Sequence, residues 1–207
     1  MLKIGVMVSG GGTNLQAILD KINNGALPDC QIVTVVSSNP SAFALERARK
    51  NNIPAKVISR KNFSSIEDYD DAILAHMRSH DVQLVVLAGF LSQLGEKFVN
   101  AYKNAIINVH PSLIPSFCGK GYYGLIPHIK ALEYGVKITG ATVHFVELDY
   151  DSGPIILQKA VEVLPGDTPE TLQKRVMEQA EWEILPEAIK LFSQKRLKVN
   201  GRLVEIL

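Results

Sequence analysis

Asn108 and His110 place an amide and an imidazole two residues apart in the chain. The apolar residues just before them, 105–107, are typical of a short buried strand, and Pro111 ends that run. Residues two apart on a strand share one face, so both side chains project from its carboxyl end, where open α/β sheets bind ligands. Both could instead be satisfied polar groups of a turn. Because Pro111 and Pro115 stiffen the loop that follows, we predict the reaction centre here.

Two carboxylates, Asp149 and Asp151, lie in a sharp turn that follows another predicted strand. The alternation of that strand puts Thr142 and His144 on one face. Aspartate is common in turns, and either carboxylate could bond its own backbone. A carboxylate beside His110 would instead orient the imidazole and raise its pKa by stabilising the imidazolium form. The residues by themselves leave both interpretations open.

Cys118 is the thiol nearest to His110 in the sequence and must be weighed as a nucleophile. Only Lys120 is nearby to lower its pKa, and the glycine-rich stretch 116–124 is typical of a mobile covering loop. We therefore do not expect a covalent thiol mechanism. Cys30 is the second of the two cysteines, and without a CxxC pair or a Cys/His cluster we predict no metal site and free thiols in a reducing compartment.

A glycine run, Gly10-Gly11-Gly12-Thr13-Asn14, joins a predicted strand to a helical pattern of apolar residues. Glycines let the backbone approach a ligand, and the N–H groups that open a helix favour a phosphate. The run is not a P-loop, and Leu15 occupies the place of the third small residue of a dinucleotide fingerprint. The next strand ends in Ser37-Ser38-Asn39, with no carboxylate for an adenosine ribose. We therefore predict a monophosphate ligand rather than NAD, although the glycines could serve only a tight turn.

Strands and helices alternate along most of the chain, which predicts an α/β protein. We expect one domain, 1–207, with an open, mostly parallel twisted sheet, helices on both faces (Rossmann-like) and an antiparallel C-terminal hairpin extension. Within it we expect a phosphate-binding half, 1–104, and a half that binds a second ligand and carries the reaction centre, 105–207. Pro186 predicts a kink or break in the last long helix, which runs from Thr168 to about Ser193.

Composition excludes several classes of protein. The 22 Lys and Arg nearly balance the 21 Asp and Glu, so no general attraction to nucleic acid or to an anionic membrane is expected. The apolar runs are too short to span a bilayer, and Met1 leads into a strand without a signal-peptide pattern. We expect a cytoplasmic protein.

Five motifs are spread along the chain: Ser9 to Gln16, Ala88 to Leu91, Asn108 to Pro115, Gly140 to His144 and Asp151 to Pro154. Together they resemble the folate-dependent formyltransferases, and the resemblance covers essentially the whole chain. The glycine loop and the short length resemble the purine-pathway members. The resemblance implies transfer of a formyl group from 10-formyltetrahydrofolate to the amine of N1-(5-phospho-D-ribosyl)glycinamide. It also implies no metal and no tightly bound cofactor, with folate as a cosubstrate, small molecules as the only partners, and a monomer or a homodimer.

The resemblance also assigns roles to residues. By that implication the catalytic trio is Asn108, His110 and Asp151. Asn108 would donate a hydrogen bond to the oxygen of a tetrahedral intermediate, and His110, made more basic by Asp151, would relay a proton toward the leaving nitrogen. The implied ligand contacts are Gly12, Thr13, Asn14 and Glu181 for the phosphoribosylglycinamide and Leu91, Ser92, Gln93, Leu94, Asn108, Glu147, Leu148, Asp149, Tyr150 and Asp151 for the folate.

The chain departs from the family pattern in four places, one of which is the loop from Cys118 to Gly124, which is longer than in many relatives. Ser92 and Ile66 stand where many members carry arginines, and the stretch from Met177 to Glu181 is one residue out of step. Three alternatives to the transferase are a formyltetrahydrofolate hydrolase, which adds a domain before the first strand, a methionyl-tRNA formyltransferase, which adds an RNA-binding domain, and a non-catalytic sensor of a phosphorylated metabolite.

Overall fold

The computed structural model describes all 207 residues, and the chain forms two compact units, Met1–Ile107 and Asn108–Leu207. One strand, β5, at Ile106–His110, crosses from the first unit into the second. No helix combines the length and the apolar character needed to cross a membrane.

The first unit alternates strands with helices from its first residues onward. Parallel pairs join its first two strands to each other, the first to the fourth and the second to the third. The fourth strand is buried at every position, as expected for a parallel strand covered on both faces. Its strands are β1 (Leu2–Val8), β2 (Cys30–Ser37), β3 (Ala55–Val57) and β4 (Leu84–Leu87), and its helices are α1 (Thr13–Asn23), α2 (Ala44–Lys50), α3 (Ile66–Ser79) and α4 (Glu96–Ala101), with a 3₁₀ turn at Arg60–Asn62.

The second unit contains an antiparallel pair and a long helical segment. Its first two complete strands pair from Ile138 with Glu162 to His144 with Ile155, and its last two form a separate hairpin. The elements are α5 (Ile126–Tyr134), β6 (Ile138–Phe145), β7 (Ile155–Glu162), α6 (Pro169–Val176), a π-helical turn (Met177–Glu181), α7 (Trp182–Ser193), β8 (Leu197–Asn200) and β9 (Leu203–Ile206).

The strands form a seven-stranded sheet in the order β3-β2-β1-β4-β5-β6-β7 and a two-stranded sheet, β8-β9. The prediction of an α/β fold with an open, mostly parallel sheet and an antiparallel C-terminal hairpin is confirmed. The order moves outward from β1 in both directions, which is the pattern of a doubly wound sheet.

The last long helix differs from its predicted form. The irregular turn lies at Met177–Glu181, before Pro186, and α7 continues through the proline. A proline ring crowds the carbonyl four residues earlier, here Trp182, so the disturbance falls on its N-terminal side. A π turn holds more residues than an α turn. The π turn, Met177–Glu181, coincides with the stretch that is one residue out of step with the family pattern.

Candidate active site

His110 ends β5 with its ring almost fully buried, 4% exposed. Its Nε2 donates to the carbonyl oxygen of Phe117 at 2.9 Å, because a carbonyl can only accept. Its Nδ1 lies 3.4 Å from Oδ2 of Asp151. Both ring nitrogens therefore face oxygen acceptors, an arrangement that suits a ring which gains and releases a proton.

Asp151 brings three side chains of the second unit together. Its Oδ1 lies 3.4 Å from the amide nitrogen of Asn108 and 3.6 Å from Nε2 of His144, while its Oδ2 faces His110. The backbone N–H of Gly119 donates to Oδ2 at 2.8 Å. The three predicted catalytic residues therefore meet at the Asp151 carboxylate, which faces both Asn108 and His110 although Asp151 is distant from them in the chain.

His144 completes the group from β6. Its Nδ1 donates to the backbone carbonyl of Phe145 at 2.8 Å, so in the neutral ring Nε2 is free to accept from the Asn108 amide at 3.2 Å. The register between β6 and β7 shifts between Val143 and His144, so that one extra residue of β7 lies opposite this point. Such bulges redirect side chains at functional sites. A side chain at Gly153 would collide with the Phe145 carbonyl oxygen, so a glycine is needed where the Asp151 turn packs on β6.

Burial dominates the electrostatics of this group. It lowers the pKa of His110 more than the charge of Asp151 and the contact with the Phe117 carbonyl raise it, and His144 lowers it further. Our expectation that Asp151 raises this pKa is right for its own contribution and wrong for the net direction, because the imidazolium loses its hydration. Burial raises the pKa of Asp151, but His144, His110 and the Gly119 N–H together bring it below its usual value. At neutral pH Asp151 is ionised and His110 is ready to accept a proton.

The loop after β5, residues 111–125, is held at its start by Thr142. The buried hydroxyl of Thr142 donates to the carbonyl of Ser112 at 2.7 Å and accepts from the N–H of Ile114 at 3.1 Å. Gln158 donates both to this hydroxyl and to the carbonyl of Ile114, each at 3.0 Å. These bonds fix the part of the loop that precedes the carbonyl facing His110.

Two non-glycine residues at the group have left-handed backbone conformations. Phe117 and Asp151 each have a φ of 51°. Such conformations are disfavoured for residues with a side chain and persist only where the surroundings enforce them, often at functional sites. At both positions the strained residue supplies an oxygen to the ring of His110.

Cys118 and His128 lie near the same group. Burial and the charge of Asp151 raise the pKa of the Cys118 thiol, which opposes the formation of a thiolate nucleophile. His128 is fully buried, neither ring nitrogen has a hydrogen-bond partner, and burial followed by the charge of His110 lowers its pKa to about 4. No set of three or more His, Cys, Asp or Glu residues is arranged to hold a metal ion.

In the first unit the glycine loop leads directly into α1. Gly12 is the N-cap and has a φ of 71°, a conformation that suits glycine, and Thr13 and Asn14 open the helix. No side chain caps this helix start. Backbone N–H groups with the positive end of the helix dipole can bind a phosphate.

The remaining predicted ligand residues are divided between the units. In the first, Leu91 is 60% exposed whereas Leu94 is 7% exposed and packs inward. In the second, Glu181 is buried in the π-helical turn, 6% exposed. Ser92 is half-buried and Gln93 exposed, and the exposed residues before Asp151 are Glu147, Leu148, Asp149 and Tyr150.

The chain is similar to known proteins over most of its length. The formyl transferase family matches residues 2–189. The chain belongs to the formyl transferase family. It is 41% identical over 203 residues to a phosphoribosylglycinamide formyltransferase of Haemophilus influenzae, covering 98% of this chain and 92% of that protein.

Two solved structures are similar to this chain along its whole length. A glycinamide ribonucleotide transformylase 1 from Symbiobacterium toebii has a TM-score of 0.93 and 44% identity, covering 100% of this chain and 94% of that one. A formyltetrahydrofolate deformylase from Pseudomonas syringae has a TM-score of 0.88 and 26% identity, covering 100% of this chain and 66% of that one.

Two contributors to the group in this formyl transferase, His144 and the Phe117 carbonyl, were not among the predicted site residues. His144 was predicted to share a strand face with Thr142 but was given no role in the site. That shared face was the only indication of its position that the sequence offered. The carbonyl of Phe117 had no signal at all, because a backbone oxygen is present at every residue. Its position depends on how the loop after β5 folds.

Proposed function

We propose that this formyl transferase moves the formyl group of 10-formyltetrahydrofolate to the amine of N1-(5-phospho-D-ribosyl)glycinamide, a step of purine synthesis. The names of its similar relatives support this choice of substrates. The observation that carries the chemistry is the Asp151 carboxylate, which faces the His110 ring at 3.4 Å and the Asn108 amide at 3.4 Å.

The reaction proceeds by direct transfer. The substrate amine attacks the formyl carbon, and a tetrahedral intermediate forms with a negative oxygen and a positive nitrogen. Asn108 donates to that oxygen, a contact whose removal lowers rates in other enzymes by roughly a hundredfold to a thousandfold. The bond from the formyl carbon to the folate nitrogen then breaks. His110 carries a proton from the amine toward that leaving nitrogen, and Asp151 stabilises the charged ring in between.

Substrate must displace contacts that the side chains make in this structure. The Nε2 of His110 already donates to Phe117, and the Asn108 amide nitrogen faces acceptors on His144 and Asp151. The longer Asn108 contact, 3.4 Å to Asp151, is the weaker of the two and the one that an oxyanion would replace. The loop after β5 must likewise withdraw the Phe117 carbonyl for Nε2 to reach a substrate.

The other assignments follow from the same proposal. Gly12, Thr13 and Asn14 bind the substrate phosphate through the start of α1, and the buried Glu181 binds the glycinamide. Folate contacts fall on residues 91–94, 147–151 and Asn108. The first half, 1–104, serves the phosphate and the second, 105–207, serves the folate and the chemistry. Folate is a cosubstrate, and no tightly bound cofactor or metal takes part.

The proposal extends to the partners and the location of the protein. We expect small molecules as the only partners, with no nucleic acid or membrane, and the protein acting as a monomer or a homodimer. A cytoplasmic location agrees with two free cysteine thiols, which a reducing compartment maintains.

One assay tests the proposal against its alternatives. The protein is incubated with 10-formyltetrahydrofolate, with and without the glycinamide ribonucleotide, and the folate absorbance and the formylated product are followed. Product that forms only when both substrates are present supports the transferase. Folate turnover without the nucleotide at an equal rate would identify a hydrolase, the activity named for the Pseudomonas relative. No turnover in either mixture would refute both enzymes and favour the sensor.

A further inference from the structure

Two carbonyl groups of the glycine loop are bonded to α2. The carbonyl oxygen of Gly10 accepts from the backbone N–H of Ala44 at 3.1 Å. The carbonyl oxygen of Gly11 accepts from Nε of Arg47 at 2.9 Å. Only the bond from Arg47 depends on the type of side chain, because Ala44 donates from its backbone.

The orientation of a carbonyl determines the orientation of the next N–H. In a trans peptide the two groups point in opposite directions. Because the carbonyls of Gly10 and Gly11 face α2, the N–H groups of Gly11 and Gly12 face away from it. A Cβ atom added to Gly10 or Gly11 would meet no atom within 4 Å, so the loop borders open space at these residues. Two N–H groups are thereby directed to the side on which a phosphate can approach.

Arg47 is itself held in place by other contacts. A second guanidinium nitrogen donates to the side-chain oxygen of Gln16 in α1 at 2.9 Å, and the guanidinium carbon lies 5.2 Å from the centre of the Phe43 ring. Gln16 in turn donates to Asp20 at 2.9 Å. The planar guanidinium therefore bridges the loop and the helix that the loop opens, which a single ammonium group cannot do in the same way.

The loop also packs closely on α2 at Gly12. A Cβ atom at Gly12 would lie 2.6 Å from the Cβ of Ala44 and 3.4 Å from Cδ of Arg47. The loop backbone and the first turns of α2 are thus in direct contact. A change in Arg47 would be transmitted to the peptide groups of the loop.

We propose that Arg47 is a positioning residue for the phosphate of the substrate. This role of Arg47 rests on the proposed function. Through its bonds to Gly11 and Gln16, Arg47 turns the Gly11–Gly12 peptide so that the N–H of Gly12 points to the phosphate. Its role is exerted through the backbone of the loop, since the two guanidinium nitrogens named above are already bonded within the protein.

The test compares Arg47→Ala with Arg49→Ala. Arg49 lies on the same helix, is 73% exposed and bonds only to Glu46 within that helix, so the control removes an equal charge. Steady-state kinetics use glycinamide ribonucleotide and its analogue without the phosphate. Arg47→Ala should raise the KM for the ribonucleotide about tenfold, with little change in kcat and no change in kcat/KM for the analogue. Arg49→Ala should match the wild type with both substrates.

Three outcomes would overturn the proposal. Equal losses with both substrates would assign Arg47 a general structural role, and unchanged kinetics would assign it none. A wild-type KM in Arg47→Lys, which keeps the charge but loses the planar fork, would show that charge alone suffices.

A binding measurement separates this proposal from the proposed function. Inorganic phosphate should raise the melting temperature of the wild type and of Arg49→Ala, and should raise that of Arg47→Ala much less. This result remains interpretable if the wild type transfers no formyl group, in which case the proposed function fails and the role of Arg47 in binding phosphate stands. Equal phosphate effects on all three proteins would overturn the role of Arg47.

Discussion

The two units of this formyl transferase build their candidate sites from different atoms. In Met1–Ile107 the candidate ligands are backbone N–H groups at the start of α1, positioned by glycine conformation and by contacts with α2. In Asn108–Leu207 the candidate groups are side chains that share the Asp151 carboxylate. A backbone site binds charge without titrating, whereas the side-chain group can move protons.

This difference predicts where substitutions will act. Changes in the first unit should weaken binding of the phosphorylated substrate and leave the chemical step intact. Changes in the second should slow the chemical step and alter its pH dependence. The contrast can be tested through KM and kcat, which respond differently to losses of binding and of transition-state stabilisation.

The largest effect is expected from His110→Ala. Loss of the proton-transferring ring should lower kcat by about two to four orders of magnitude, with little change in either KM. His80→Ala is the control, because His80 is the C-cap of α3 in the other unit and forms only local hydrogen bonds, to Ser79 and to the His76 carbonyl. Steady-state kinetics with both substrates measure the effect. A higher KM at normal kcat would contradict the assignment of binding to the first unit and of the chemical step to the second.

A smaller loss, about a hundredfold in kcat, is expected from Asp151→Asn. Removal of the negative charge disfavours the imidazolium of His110 and lowers its pKa further. The acid limb of the profile of kcat/KM against pH should therefore move to lower pH. Glu133→Gln, an exposed change in α5, should leave the profile unchanged. If the acid limb does not move, Asp151 does not control the pKa of His110.

In the first unit, Gly12→Ala should act on binding. The new Cβ would meet Ala44 at 2.6 Å, and the φ of 71° is strained for alanine. We expect a KM for the ribonucleotide about tenfold higher, with a loss of stability of about 1 to 3 kcal/mol. Gly25→Ala is a matched control, because its φ is 80° but nothing lies within 4 Å of the added atom. That variant should lose only stability, and equal KM values in the two variants would contradict the backbone site.

The smallest effect concerns stability in acid. The pKa of His128 is lowered from 6.5 to about 4, so the folded state binds the proton less readily than the unfolded state. The associated stability is complete above the unfolded pKa and is lost as the pH falls toward the folded one. Between about pH 7.5 and pH 5.5 the wild type should lose about 1 kcal/mol more than His128→Leu. Urea unfolding at both pH values measures this, and equal losses would exclude His128 as the cause.

Local patterns predicted much of the fold and part of the site. The glycine run before an apolar helical pattern indicated a helix after the loop, and α1 begins at Thr13. The expected C-terminal hairpin is formed by β8 and β9, with Asn200 and Gly201 at its turn, because turn chemistry acts over a few residues. The break was assigned to Pro186, whereas the irregular turn lies earlier in the chain, at Met177–Glu181. The proline ring crowds the carbonyl four residues before it, and the position of the π turn also depends on the packing of its neighbours.

Contacts between residues that are distant in the chain could not be predicted from such local patterns. The Asn108 amide meets His144, which lies 36 residues away, and Asp151, which lies 43 residues away. Strand alternation indicates which face a side chain occupies but not which residue faces it across the sheet. The β-bulge beside His144 adds a displacement that alternation does not contain.

By itself the sequence determined which groups are present and how near neighbours are arranged: an amide and an imidazole on one face of a strand, and glycines before a helix. Tertiary structure alone decided that the pKa of His110 lies below its usual value despite its carboxylate neighbour. The reason is physical. Hydration of a charged ring is removed by every atom packed around it, and that environment is assembled only when the whole unit folds.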